Sequence, residues 1–384
     1  MSHRSRDPRL DFFRGIAMFI ILIAHIPGNS WNNWIPARFG FSDATEIFVF
    51  CSGMASAIAF GKVFDTHGLA VGGARILFRF WQIYWAQIGL FIAILALLIA
   101  AGIRPDGLPY SQAIESDRFF AHAREAMVGL VTLSYHPPAL DILPMYMVIL
   151  LMVPVVMFLS RISLWLVPAF CVALWGASNA GLLDLPAEPW SERVWFFNPF
   201  AWQLVFFTGF SIMRGWFSVP RPSVLLVSLA TLIVVATTPF AWERGFEFVP
   251  RLGEIYDAID PLINKTRFGI LRYVHFLAVA YLAMAAVGPH GSRIGGMLAD
   301  TIRRVGQQSL AVFIGGEFVA QCLAILLDRM GRGELEMLVA NVIGAACLIG
   351  IAAVARWFKS GPWKKPPAPR ELRETPALAR LAGE

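Results

Sequence analysis

Ten stretches of this chain are apolar over a length that can cross a lipid bilayer, and this feature limits the fold more than any other. A spanning helix needs about 20 apolar residues, and it satisfies its backbone hydrogen bonds within its own segment. The windows lie at residues 10–27, 44–63, 75–102, 141–160, 162–183, 196–213, 222–242, 270–289, 304–328 and 335–358. We therefore predict an all-α, polytopic integral membrane protein with about ten transmembrane helices in one bundle.

The composition leads to the same class. Of the 384 residues, 57% are hydrophobic and 15% are charged, whereas soluble proteins contain about 25% charged residues. Nearly the whole chain lies in or beside an apolar window. We therefore predict one transmembrane domain over residues 1–360 and a disordered basic cytoplasmic tail over residues 361–384.

The distribution of charge predicts the topology. If the N-terminus is cytoplasmic, the cytoplasmic segments contain most of the 32 basic residues and a minority of the 26 acidic residues. This asymmetry follows the positive-inside rule and places both termini in the cytoplasm. The net charge of +6 thus indicates a lipid bilayer as partner and requires no nucleic acid.

Several kinds of chemistry lose support because their motifs are missing from the sequence. There is no P-loop, no dinucleotide-binding glycine pattern, no His-Glu-x-x-His and no Gly-x-Ser-x-Gly. The four cysteines all lie inside apolar windows, which indicates core residues and neither a disulfide framework nor a metal site. ATP-driven transport, serine hydrolysis and metal chemistry are therefore not expected.

The first window places an arginine and a histidine on one helix face. Arg14 and His25 are eleven residues apart, and at about 100° per residue their side chains point within about 20° of each other. They are separated by about 16 Å along the axis. We expect His25 to act as a general base and Arg14 to bind phosphate. An interfacial histidine and a flanking arginine are the structural alternatives.

Arg75 and Arg79 lie one turn apart at the start of the third window, and Tyr84 follows them. Two guanidinium groups beside an aromatic surface are candidates for a second cofactor contact. Snorkelling arginines with an interfacial aromatic belt explain these three residues at least as well.

Asp43 and Glu46 begin the second window in the pattern of a capping box. The first helix ends and the second begins on the same outer side, so either carboxylate is placed to orient His25, as an acid does in a catalytic triad. Both are catalytic candidates, and helix capping is the structural alternative.

Three further residues are candidates for substrate binding. Glu317 lies near the middle of the ninth window, where a carboxylate is costly unless it is paired or hydrated. His136 and Asp141 precede the fourth window on the outer side, where an acceptor would arrive. A proline-rich turn with a helix cap explains His136 and Asp141 as well.

Blocks of this sequence resemble a known superfamily. The order of Arg14-x10-His25, an aromatic Ser-Gly helix at 48–53 and arginines at 75 and 79 resembles the acyltransferase-3 superfamily. The details are closer to its OpgC branch, the succinyltransferases of osmoregulated periplasmic glucans. The similar blocks are RLDFFRG at 9–15, SDATEIFVF at 42–50, DILPMY at 141–146 and GQQSLAVF at 306–313.

The resemblance implies a multi-pass O-acyltransferase of the bacterial inner membrane. It implies acyl-CoA as a co-substrate from the cytoplasm, with succinyl-CoA as the first choice and acetyl-CoA as the second. His25 would be the catalytic base, and Arg14, Arg75 and Arg79 would face the CoA phosphates. The acceptor would be a hydroxyl of an extracytoplasmic glycan, and the oligomeric state stays open.

Two other functional classes are weighed against this one. A proton-coupled secondary transporter would use His25 and Glu317 as a relay, and it predicts inverted repeats and paired broken helices. Neither feature is convincing in the sequence. A non-catalytic scaffold explains the hydropathy but gives no reason for Arg14, His25 and Glu317 within spans.

Overall fold

The structure, a computed structural model, describes residues 7–137 and 140–363, except for the side chains of Glu243, Arg244 and Glu247. This part of the chain is helical and contains no strand. Its α-helices are α1 (Pro8–His25), α2 (Ala44–Ala101), α3 (Ser116–Ala121), α4 (Ala123–Thr132), α5 (Ile142–Ile162), α6 (Leu166–Asn179), α7 (Pro199–Arg214), α8 (Val224–Ala241), α9 (Glu243–Phe248), α10 (Pro250–Ile263), α11 (Ile270–Val287), α12 (Met297–Gln307), α13 (Ser309–Met330) and α14 (Glu334–Ser360). The predicted all-α class is confirmed there.

Six of these helices have the length and apolar composition needed to cross a membrane, namely α2, α5, α8, α11, α13 and α14. They indicate a membrane protein. Helix α1 carries Arg9, Asp11 and Arg14 in its first two turns, and α7 has 16 residues. Ten spans and two cytoplasmic termini stay predictions, and residues 364–384 of the predicted tail lie outside the described residues.

Helix α2 contains two of the predicted windows. It breaks at Gly68, whose φ of 80° lies in the left-handed region, a conformation that glycine adopts without a steric penalty from a Cβ atom. The break separates the segments 44–67 and 69–101. Residues 64–74, which lie between the two windows, are thus helical apart from this one position.

The ninth predicted window, residues 304–328, contains parts of two helices and not one continuous helix. Helix α12 ends at Gln307 and α13 begins at Ser309, so the first residues of the window belong to a separate helix. Helix α12 packs along α1, and α13 contacts both α1 and α2. Because α13 starts at Ser309, Glu317 lies in its first half.

The main core lies where α1, α2, α5, α7 and α13 meet, and it is rich in aromatic residues such as the fully buried Trp202 and Phe206. The backbones of α2 and α7 come into close contact at two glycines. A Cβ atom at Gly53 would lie 1.9 Å from the carbonyl oxygen of Phe206, and one at Gly209 would lie 2.3 Å from that of Phe50. The sequence Ser52-Gly53 therefore allows close helix contact, as small residues do in membranes.

Gly53→Ala is expected to lower the free energy of unfolding by about 1 to 3 kcal/mol, because overpacking a close contact forces backbone shifts. The measurement is thermal denaturation of the purified protein in detergent. Gly89→Ala in the same helix is the control, since its added Cβ atom would meet no other atom within 4 Å. A wild-type melting temperature for Gly53→Ala would contradict the prediction.

Candidate active site

His25 ends α1, and its ring contacts a carboxylate of α13. The Nδ1 atom of His25 is hydrogen-bonded to Oε1 of Glu317. Glu317 is 3% exposed, whereas the side chain of His25 is 36% exposed. The carboxylate is thus enclosed behind a ring that stays accessible. Such a partner fixes the ring orientation and leaves Nε2 available for proton transfer.

A second contact joins the same two helices. The guanidinium of Arg14 donates a hydrogen bond to Oγ of Ser309 at the start of α13. Ser309, Phe313 and Glu317 are four residues apart and therefore share one face of α13. Because Arg14 meets Ser309 and His25 meets Glu317, α1 and α13 run side by side in the same direction. Arg14 and His25 thus lie along a single helix interface.

The ring of His25 faces a cavity of about 450 Å³, a size typical of small-molecule sites. The polar residues that line it are His25, Thr45, Asp141, Arg193 and Lys265. The apolar residues that line it are Ile21, Ile142, Phe196, Phe197 and Phe313. Several of these residues come from loops or from helix ends, so the cavity lies at the end of the bundle where α1 ends.

Asp43 and Glu46 form the predicted capping box at the start of α2. Their carboxylates also bind cations: Oδ2 of Asp43 lies 2.5 Å from Nζ of Lys265, and Oε1 of Glu46 accepts hydrogen bonds of 2.9 and 2.7 Å from Arg272. The carboxylate hydrogen-bonded to His25 is that of Glu317, whereas these cations engage Asp43 and Glu46. A catalytic role of Asp43 and Glu46 stays a prediction.

Arg75, Arg79 and Tyr84 all lie in the second segment of α2. The side chain of Arg75 is exposed, and Arg79 donates a 3.1 Å hydrogen bond to Gln82. The hydroxyl of Tyr84 donates a 2.8 Å hydrogen bond to the carbonyl of Val131 at the end of α4. This bond anchors α4 to α2, and a role of these three residues in cofactor binding stays a prediction.

His136 and Asp141 lie on either side of the short segment that leads into α5. His136 is 1% exposed and packs edge-on against Trp195, with ring centroids 4.3 Å apart. Burial, reinforced by the charge of Arg193, lowers the pKa of His136 to about 3, so this ring is neutral. Asp141 lines the cavity and His136 does not.

A buried carboxylate holds Arg193 in place at the cavity wall. The Nη2 atom of Arg193 donates a 2.9 Å hydrogen bond to the carboxylate of Glu188 and a 2.7 Å hydrogen bond to the carbonyl of His136. Desolvation acts to raise the pKa of Glu188, but hydrogen bonds from Arg193 and Ser191 outweigh it and lower the pKa below its usual value. Glu188 is therefore ionised and balances the guanidinium.

A family model described as OpgC protein matches residues 6–360 of this chain. The chain belongs to the OpgC protein family. Membership of the OpgC family suggests an acyltransferase that acts on periplasmic glucans. The resemblance to the OpgC branch is thus confirmed at the level of the family. Comparisons with curated proteins and with solved structures gave no significant match.

Two cavity residues of this OpgC-family chain, Arg193 and Lys265, are not among the candidates named from the sequence. Both lie in loops of mixed charge, where no periodicity distinguishes one cation from another. The available signal is topological, because the predicted bundle places these loops on the side where α1 ends. That side also holds His25.

Proposed function

We propose that this chain is a membrane-bound O-acyltransferase of the acyltransferase-3 superfamily, located in the bacterial inner membrane. It moves an acyl group, proposed to be succinyl, from cytoplasmic acyl-CoA to a hydroxyl of a periplasmic glucan or another extracytoplasmic glycan. The observation that carries the proposal is the hydrogen bond from His25 to the buried Glu317 at a position where His25 also lines a cavity.

In the proposed reaction, His25 is a general base. Its Nδ1–H donates to the carboxylate of Glu317, so Nε2 holds the lone pair that takes the proton of the glycan hydroxyl. The hydroxyl oxygen attacks the thioester carbon, an ester C–O bond forms, and the C–S bond breaks. CoA leaves as a thiolate and is protonated by the imidazolium, which restores neutral His25.

The donor is proposed to lie along the interface of α1 and α13. The separation of about 16 Å between Arg14 and His25 matches the length of an extended pantetheine arm. Arg14 would then hold the phosphates, while the thioester reaches the ring of His25. Arg75, Arg79 and Tyr84 are proposed as further contacts of the acyl-CoA donor, and the side chain of Arg75 is exposed.

The acceptor is proposed to enter the cavity from the outer side. Asp141 lines this cavity, and a carboxylate is a suitable hydrogen-bond partner for sugar hydroxyls. His136 is enclosed and neutral, so its proposed contribution is to the shape of the loop beside Asp141. Arg193 supports the same loop through its hydrogen bond to the carbonyl of His136.

The proposed function is tested by the release of free CoA from the purified protein in nanodiscs. Succinyl-CoA and acetyl-CoA are compared with and without a glucan acceptor. Glucan-dependent release with either donor would support an acyltransferase. No release with either donor would overturn the proposal. Nothing in the described residues or in the family match favours the transporter.

Arg14→Gln is expected to raise KM for acyl-CoA about tenfold while kcat changes little, because a phosphate contact far from the thioester binds ground state and transition state equally. The measurement is the initial rate of CoA release at varied donor concentration. Ser309→Ala is the control, since it removes one hydrogen-bond acceptor of Arg14 and keeps the charge. A wild-type KM for Arg14→Gln would contradict the prediction.

A further inference from the structure

Two cations line the wall of the cavity, whereas the carboxylates that bind these cations do not line it. Lys265 and Arg193 line the cavity beside His25, whereas the partner carboxylates Asp43 and Glu188 do not. Asp141 is the one acidic residue among the described residues that line the cavity. The wall near Lys265 and Arg193 therefore presents positive charge to a bound molecule.

Lys265 is held rigidly in this wall. Its carbonyl oxygen accepts a 2.9 Å hydrogen bond from the indole of the buried Trp202. Its ammonium lies 2.5 Å from Asp43 and 5.7 Å from the centre of the Phe197 ring. An ammonium has three N–H donors, and one carboxylate oxygen does not use all of them. The side chain is 31% exposed, so the remaining donors can reach a ligand.

Two of the three guanidinium nitrogens of Arg193 are engaged or enclosed within the protein. Its Nη2 already donates to both Glu188 and the carbonyl of His136, and its Nε is enclosed. Its guanidinium thus secures the loop that carries it. Lys265 thus offers the cavity donors that are both fixed in space and open to a ligand.

We infer that Lys265 binds a carboxylate at the far end of the transferred acyl chain and thereby selects donors that carry a second acid group over neutral acyl donors. The inference rests on the proposed acyl transfer. The CoA phosphates would lie about 16 Å away at Arg14, and glucan hydroxyls carry no charge. The acyl group must lie beside His25, so its charge is the one that meets Lys265.

The test compares kcat/KM for succinyl-CoA and butyryl-CoA, which differ by a carboxylate in place of a methyl group, with a glucan acceptor. Wild-type protein is expected to prefer succinyl-CoA. Lys265→Met should reduce this preference about 10- to 100-fold, the usual value of a hydrogen bond to a charged group. The succinyl rate should fall by this factor more than the butyryl rate, because butyryl-CoA has no carboxylate that could lose a contact with Lys265. Lys265→Arg should retain most of the preference, because it keeps the charge.

Arg267→Met is the matched control. Arg267 lies in the same turn, binds Asp184 at 2.8 Å and does not line the cavity, so its loss should leave the ratio of the two donors unchanged. The melting temperature of Lys265→Met in detergent, compared with that of Arg267→Met, reports whether the variant is folded.

Three outcomes would overturn the inference. An equal loss with both donors in Lys265→Met would assign Lys265 to transition-state stabilisation or to structure. If the wild-type protein had the same kcat/KM for succinyl-CoA and butyryl-CoA, selection of a carboxylate would be excluded before any variant is measured. Absence of turnover by the wild type with every donor would overturn the proposed function and this inference together, whereas the first two outcomes leave the proposed function standing.

Discussion

His25→Ala is expected to lower kcat for glucan acylation by about 10²- to 10⁴-fold, the usual contribution of general-base catalysis. Without the imidazole, no described group takes the place of Nε2 beside the buried Glu317. KM for the donor should change little, since the phosphates are proposed to bind at Arg14. The measurement is the rate of glucan-dependent CoA release at saturating donor.

The companion variant is His25→Asn. Alanine leaves the enclosed carboxylate of Glu317 without its partner, which has a cost in stability, whereas the asparagine amide keeps a donor near the position of Nδ1. Both variants should lose activity, and His25→Asn should keep a wild-type melting temperature. His67→Ala, an exposed position beside the break in α2, should be as active as wild type. Wild-type turnover by His25→Asn would refute the role of His25 as base.

Glu317→Gln is expected to lower kcat about 10²-fold or more, because the imidazolium formed during proton transfer loses the negative charge that stabilises it. The amide is close to the carboxylate in size, so the packing of α13 against α1 should persist. Melting temperature and kcat are measured together. Glu334→Gln, in the exposed first turn of α14, is the control and should behave as wild type.

A double-mutant cycle separates a positioning role of Glu317 from a structural one. If Glu317 acts through His25, the variant His25→Asn/Glu317→Gln should be no slower than His25→Asn alone. Independent, additive losses would show that Glu317 serves the fold and not the base. The same cycle with Asp43→Asn in place of Glu317→Gln should be additive, because Asp43 binds Lys265.

Much of the fold follows from local patterns in the sequence. Apolar windows predict most helices because a bilayer leaves helical backbone as the stable solution for such segments. The capping box of Asp43 and Glu46 predicts where α2 begins. The break at Gly68 and the division at Gln308 are harder to see, since each depends on one residue within a long helical stretch.

The all-α class, the shared face of Arg14 and His25, and the family resemblance could all be predicted from the order of the residues alone. All three depend on spacing along the chain, which helix geometry converts directly into position. Three features became visible only in the packed helices: the contact of Glu317 with His25, the binding of Asp43 and Glu46 by Lys265 and Arg272, and the place of Lys265 in the cavity wall. These contacts join residues more than 200 positions apart, and the choice among several carboxylates and cations depends on how the helices pack.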